Sequence, residues 1–167
     1  MMDLPIAAVL YAPGDPVHEV LKAFVARLQG DGVDIHGVLQ DPAPERGIDA
    51  VDIHTGRRTP ILRPTDYELD NKVCSLKPSK LTEAGASLRR ALDGGAELVV
   101  VEKFGKSEKD GEGLADDLLA VMAEGIPTVV SVPVADREAW SAFTGGMGVA
   151  VSCEAEALMA WWRRVRP

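Results

Sequence analysis

The chain is 167 residues long, with 18 Lys and Arg against 26 Asp and Glu, a net charge of −8. That length suits a single domain over 1–167 with a core that needs no staples, and the acidic balance weighs against nucleic acid and anionic membranes while allowing a local basic pocket. No apolar run reaches the roughly 18 residues of a membrane helix, the start MMDLPIAAVLYAPGD has no basic leader, and Cys74 and Cys153 form neither a CxxC unit nor a disulfide framework, so a cytoplasmic protein without membrane insertion is expected.

Residues 5–11 (PIAAVLY) are a short apolar run and read as a buried strand. Asp15 is placed to cap a helix, and Pro16 to sit in its first turn, where a missing N–H costs nothing. Val17, Val20, Leu21, Phe24, Val25 and Leu28 recur at helical spacing and form one apolar face, which Gly30 and Gly32 end. Residues 33–39 (VDIHGVL) are a second strand. Residues 48–53 (IDAVDI) and 58–63 (RTPILR) flank a Gly-containing turn and read as a β-hairpin, whose second arm Pro60 places at a sheet edge. Residues 64–78 have no period and read as loop. A helix over 79–93, capped by Ser79 and ended by Gly94 and Gly95, precedes a strand at 97–102 (ELVVVE) and a polar loop at 103–113. A helix at 114–124, a strand at 127–132, a short helix at 136–143, a strand at 148–152 and a helix at 154–164 complete the chain. At least one of Trp161 and Trp162 is expected to pack onto the sheet.

Strands alternating with helices imply right-handed crossovers and a mostly parallel sheet, with the hairpin at 48–63 as an antiparallel insertion. Ligands of such sheets sit beyond the carboxyl ends of the strands, which singles out the loops at 12–16 and 103–113. A phosphate loop reads G-x-x-x-x-G-K-[ST], with the Lys on phosphate and the Ser or Thr on Mg²⁺. The segment APGDPVH (12–18) keeps only Gly14 of these residues. Pro16 removes a donor, and Asp15 would repel a phosphate in a low-dielectric pocket. It reads either as a plain strand-to-helix turn or as a place where a helix N-terminus holds a small oxyanion, with Gly14 and His18 at hand and Asp15 turned away to cap the helix.

Glu102 ends an apolar strand, the usual position of the Mg²⁺-side partner of a phosphate loop. Lys103, Gly105, Lys106 and Glu108 crowd the loop that follows, a common place for a site. Between Thr55 and Lys80 the six cations Arg57, Arg58, Arg63, Lys72, Lys77 and Lys80 outnumber the three acids Asp66, Glu68 and Asp70. This segment reads either as a solvated loop or as an electropositive lip, where Arg suits a tetrahedral anion by donating two parallel bonds. Cys74, among basic residues, reads as an inert thiol or as a thiolate ligand for a thiophilic metal. His18, His36 and His54 lack HxH or HxxxH spacing, so no zinc site is expected. GxSxG, GxGxxG and basic–aromatic stripes are absent, and no catalytic residue is assigned.

With the order of elements, ELVVVEKFGKSEKDGEG resembles small bacterial and archaeal P-loop nucleoside triphosphatases, in which a strand ends in D-E-x-G-x-x-E. The matching run is Glu102, Lys103, Phe104, Gly105, Lys106, Ser107 and Glu108. Asp52, Thr55, Gly56 and Leu62 resemble the hairpin pattern of that family, with slightly altered spacing. On this resemblance Val17 falls at the phosphate Lys, His18 at the Ser or Thr, and Lys103 at the acid that polarises water. The resemblance thus implies the fold more than the activity. The segments YAPG, CSLKP (74–78), KFGKSEKDGEG and AWSAFTGGMG (139–148) resemble, over nearly the whole chain, an uncharacterised bacterial family with a domain of unknown function. Its members are often encoded beside molybdate-uptake genes, which implies a role in molybdenum handling.

The expected fold is a three-layer, P-loop-NTPase-like α/β domain. The first functional reading is a non-hydrolytic binding or accessory protein for a small oxyanion, molybdate or phosphate. Its site would lie between 12–18 and 102–108 beneath the 55–80 lip, with Gly14, Asp15, His18, Lys103, Gly105, Lys106, Arg57 and Arg58 toward the oxyanion and Glu102, Glu108 and Cys74 toward a metal. The second is an Mg-dependent nucleoside triphosphatase binding Mg-ATP, with Glu102 on Mg²⁺ and Lys103 or Lys106 replacing the loop Lys. The third is a ligand-free interaction module that meets a molybdate-uptake component or a second copy of the chain through the hairpin edge or the last helix.

Overall fold

Strand β1 (Ile6–Tyr11) buries its first four residues, alternately on its two faces: Ile6 and Ala8 point into one core, Ala7 and Val9 into the other. That period of two is what a strand with covered faces requires. The structure, a computed structural model, describes residues 4–43, 46–62 and 84–166. After β1 come α1 (Val17–Gly30), β2 (Ile35–Pro42), β3 (Ile48–Asp52), β4 (Arg58–Leu62), α2 (Ala86–Gly94), β5 (Leu98–Val101), the short α3 (Lys106–Lys109), α4 (Ala115–Ala123), β6 (Thr128–Pro133), α5 (Arg137–Thr144), β7 (Val149–Ser152) and α6 (Ala155–Val165). Among the described residues no helix is long and apolar enough to cross a membrane.

The strands form one seven-stranded sheet in the order β4-β3-β2-β5-β6-β1-β7. Strands β2, β5, β6, β1 and β7 run parallel, and β3 and β4 add antiparallel at one end, with β4 as the edge that Pro60 requires. Helices α1 and α6 cover one face through Leu21, Phe24, Leu28, Leu158, Trp161 and Trp162. Helices α2, α4 and α5 cover the other through Leu88, Leu118, Val121 and Trp140. Each fully buried side chain of this size contributes about 1.5–3 kcal/mol. The expected three-layer architecture with its antiparallel hairpin is therefore present.

The differences from expectation are local. Asp15 does not cap α1: the cap residue is Pro16, with no side-chain bond, and the Asp15 carboxylate instead accepts the N–H of Ala12 at 2.8 Å. Gly30 lies inside the helix, and Gly32 makes the left-handed turn after it at φ +82°. Strand β2 runs on to Pro42 because Gln40 and Asp41 pair with β3. The polar segment 103–113 contains the turn α3. Gly37 holds φ +124° where β2 meets β5, and a Cβ there would lie 1.9 Å from the carbonyl oxygen of Val100. The loop expected at 64–78, and Ser79 with the start of its helix, lie outside the described residues.

Candidate functional site

The crossover from β1 into α1 brings the first turn of that helix beside the carboxyl ends of β5 and β2, and His18 spans them. Its Nδ1 lies 2.8 Å from Oε1 of Glu102, just past β5, and its Nε2 lies 2.7 Å from Oδ1 of Asp41, near the end of β2. Glu102 is buried, and the same Oε1 also accepts the N–H of Gln40 at 2.8 Å. The other oxygen of Asp41 accepts from Arg58 Nη1 at 3.0 Å, and Lys22 Nζ stands 3.6 Å from Oδ1. Arg58 reaches back to Asp49 through Nε at 2.9 Å and to the carbonyl of Pro42 at 3.3 Å. Asp41 and Asp49 face each other across the β2–β3 ladder. Without Arg58 between them, that like-charge pair would be unfavourable.

Three carboxylates, Glu102, Asp41 and Asp49, thus meet Arg58, Lys22 and the His18 ring, and their charges balance when the ring is protonated. Burial acts to lower the His18 pKa, but the bonds and charges of Glu102 and Asp41 outweigh it and hold the imidazole above its ordinary value. Burial acts to raise Asp41, and its bonds to Arg58 and His18 outweigh that and hold it below the usual carboxylate range. Tyr11, at the end of β1, is pushed up by burial and by the charge of Glu102.

The loop from β1 closes on its own acid. Asp15 N donates to Ala12 O at 3.0 Å, Val17 N to Asp15 O at 2.9 Å, and the Asp15 carboxylate takes the Ala12 N–H. Gly14 holds φ +93° with open space around it. The N–H groups of Gly14 and His18 donate to no acceptor among the described residues.

In the second loop Phe104 is the anchor. It is fully buried, edge-on to Trp140 at 5.1 Å, and its N–H donates to Ser131 O. Glu108, expected toward a metal, is 3% exposed, and both its oxygens serve backbone: Oε1 accepts from Gly105 N at 3.0 Å and Oε2 from Leu114 N at 3.1 Å. It closes the loop rather than facing an ion, and burial pushes its carboxyl up. Lys106 points outward, 84% exposed, and pairs with Asp110. Lys109 pairs with Asp136 at 2.9 Å. Lys103 is exposed and, among the described residues, has no carboxylate within salt-bridge distance.

The two hairpin arginines part company. Arg58 joins the His18 cluster, whereas Arg57 lines a small cavity between the hairpin and α2 with Asp52, Thr59 and Arg90. Arg90 pairs with Asp52 there. Cys74, with Arg63, Lys72, Lys77 and Lys80 of the expected lip, lies outside the described residues. Sequence reading omitted Asp41, Asp49 and Lys22. Only Asp41 carried a signal, as a polar residue following the apolar run of β2.

The fold is that of the P-loop nucleoside triphosphatases. The crystal structure of THEP1 from the hyperthermophile Aquifex aeolicus matches with TM-score 0.63 and 17% identity, over 92% of this chain and 90% of that one. The solution structure of a human cancer-related nucleoside triphosphatase matches with TM-score 0.58 and 18% identity, over 80% of this chain and 77% of that one. In sequence the chain is 35% identical over 163 residues to the molybdenum import ATP-binding protein ModC 2 of Bradyrhizobium diazoefficiens. That match takes in 95% of this chain and 18% of the relative, so the chain spans less than a fifth of the curated protein it resembles. Residues 6–161 match the family described as "Protein of unknown function (DUF2478)", and the chain belongs to that family.

Proposed function

We propose that this chain is a non-hydrolytic accessory domain of molybdenum import, which holds a small oxyanion, molybdate or phosphate, on a P-loop-type fold that no longer takes Mg-nucleotide. One observation carries the reading: the His18 ring lies between Glu102 and Asp41, with a nitrogen on each. In phosphate-loop proteins the loop Ser or Thr and a strand-end acid together hold Mg²⁺. Here the helix offers an imidazole with no oxygen ligand, and one oxygen of the strand-end acid already accepts from that imidazole and from Gln40 N. The loop has no Lys for the phosphates. These residues do not fit a metal-bound triphosphate, so no hydrolytic step is derived from them. The likeness to part of a molybdenum import protein supports the metabolic context. Among the described residues, Lys103 and the N–H groups of Gly14 and His18 are donors left for an anion.

Calorimetric titration of the purified chain with molybdate, tungstate, sulfate, phosphate and ATP, each with and without Mg²⁺, tests the reading. Saturable binding of molybdate or tungstate that ignores Mg²⁺, at least fivefold weaker in Lys103→Ala, is expected. Mg²⁺-dependent binding of ATP, with phosphate release lost in Glu102→Gln, would establish a triphosphatase instead. Silence toward every anion refutes the oxyanion site.

A further inference from the structure

At the amino end of β2, the other end of that strand from Asp41, Asp34 and His36 meet His54, which arrives from the hairpin turn 18 residues further along the chain. The rings of His36 and His54 stack with centroids 4.0 Å apart and planes 11° from parallel. Asp34 Oδ1 lies 3.3 Å from His54 Nδ1 and 3.6 Å from His36 Nε2. One ligand atom from each of the three lies within 4.8 Å of the others. The carboxylate-to-ring distances exceed the roughly 2.7–2.9 Å of charge-assisted hydrogen bonds, so the carboxylate stands off both rings.

The backbone holds this arrangement. Asp34 is fixed by its N–H to the Glu97 carboxylate and by its carbonyl, which accepts from Glu97 N and Leu98 N. The His54 turn is fixed by Asp52, whose Oδ1 takes the N–H groups of His54 and Thr55 and whose carbonyl takes Gly56 N. Ile53 N donates to Gly37 O and ties that turn to β2. His36 is 5% exposed, while the Asp34 and His54 side chains are 42% and 46% exposed, so one ligand is buried and two face water.

We propose that Asp34, His36 and His54 bind a borderline divalent transition-metal ion, for which Zn²⁺ is the probe. Two imidazole nitrogens and one carboxylate oxygen suit such an ion, and Mg²⁺ and Ca²⁺ prefer all-oxygen shells. Metal–ligand bonds of about 2.0–2.2 Å set the ligand atoms about 3.3–3.5 Å apart. Closing from the present separations needs a shift of the exposed His54 side chain and an opening of the ring stack. Solvent completes the shell. The bound ion clamps the hairpin turn onto the start of β2. None of these residues belongs to the His18 cluster, so the proposal stands apart from the oxyanion reading.

Tag-free protein is titrated with ZnCl₂ by calorimetry and by thermal unfolding, beside His54→Ala, Asp34→Asn and His18→Ala. Wild type and His18→Ala are expected to bind one equivalent and to melt at higher temperature with Zn²⁺. His54→Ala and Asp34→Asn are expected to lose at least tenfold in affinity and the thermal gain with it. His54→Ala, at an exposed position, serves as the folded control through its metal-free melting point. Absence of saturable binding to wild type overturns the proposal. So does unchanged affinity in His54→Ala, or loss in His18→Ala alone.

Discussion

Replacing His18 by Ala leaves two carboxylates without their shared partner, and they do not lose equally. Glu102, 6% exposed, keeps the Gln40 N–H at 2.8 Å as its other hydrogen bond. Asp41 keeps Arg58 at 3.0 Å and Lys22 at 3.6 Å and lies nearer solvent. A hydrogen bond to a charged group contributes about 1.5–3 kcal/mol. The bond at Glu102 belongs near the top of that range, and the one at Asp41 contributes under about 1 kcal/mol after solvent screening. The total is about 3 kcal/mol, which in a domain of this size lowers the melting temperature by about 6–12 °C. The imidazole is held above its unfolded value of about 6.5. Its contribution is therefore complete below that pH and fades as pH rises through the folded value. Asp41 is depressed, so its share is lost as pH falls through its own folded value. The penalty of His18→Ala is thus greatest in mildly acidic buffer, near pH 6, and shrinks toward pH 9. Thermal unfolding followed by circular dichroism at both values measures it, with Glu102→Gln completing a double-mutant cycle. Equal melting-point losses at the two pH values, or a full penalty retained in the Glu102→Gln background, would refute the reasoning.

Gly37→Ala drives a Cβ against the Val100 carbonyl, which no rotamer relieves. A loss of about 4 kcal/mol or more is expected in denaturant unfolding, and wild-type stability would show that β2 and β5 do not meet as described. Glu108→Gln turns one acceptor into a donor facing a buried N–H, a loss of about 1–3 kcal/mol, read as faster amide exchange at Gly105 and Leu114. Arg58→Ala leaves Asp41 opposite Asp49, so the melting point falls, and adding Asp49→Asn recovers part of the loss. Trp161→Ala empties a site 2% exposed between α6 and the sheet and costs about 3–5 kcal/mol by chemical denaturation.

The order of elements was legible because it rests on local signals: apolar runs of strand length, three- and four-residue spacing in α1, glycines at helix ends. Pro60 marked the sheet edge for the same reason, a missing N–H on one strand. The site was legible only in part. Glu102 and His18 could be named separately from their places at a strand end and a helix start, but nothing local says that the ring of one reaches the carboxylate of the other across 84 positions. Asp41 was missed because β2 ran longer than its apolar residues. The two polar residues past Leu39 extend the strand by pairing with β3, a tertiary effect that apolar periodicity does not register. Glu108 misled for the opposite reason: an acid in a ligand-side loop suggests an ion, yet its burial against two backbone N–H groups makes it a structural clasp.

The His18 cluster and the Asp15 loop have a common physical logic. A fold that sets buried Glu102 and half-buried Asp41 at neighbouring strand ends must supply a cation there, since neighbouring carboxylates otherwise repel or take up protons. A loop that turns N–H groups outward at a helix start is relieved by an anion. In this chain His18 supplies that cation, and Asp15 sets an anion in the loop on the N–H of Ala12 while the N–H groups of Gly14 and His18 stay open. A change at one position should therefore not give the site metal binding. The variant Val17→Lys with His18→Thr introduces a loop Lys and hydroxyl, yet leaves the Asp15 carboxylate on Ala12. Adding Asp15→Gly removes that carboxylate. Terbium luminescence in the presence of ATP is expected to rise more than tenfold for the triple variant over the double one. An equal rise in the double variant would show that Asp15 does not guard the loop, and the pairing of the two internal charges would have to be abandoned.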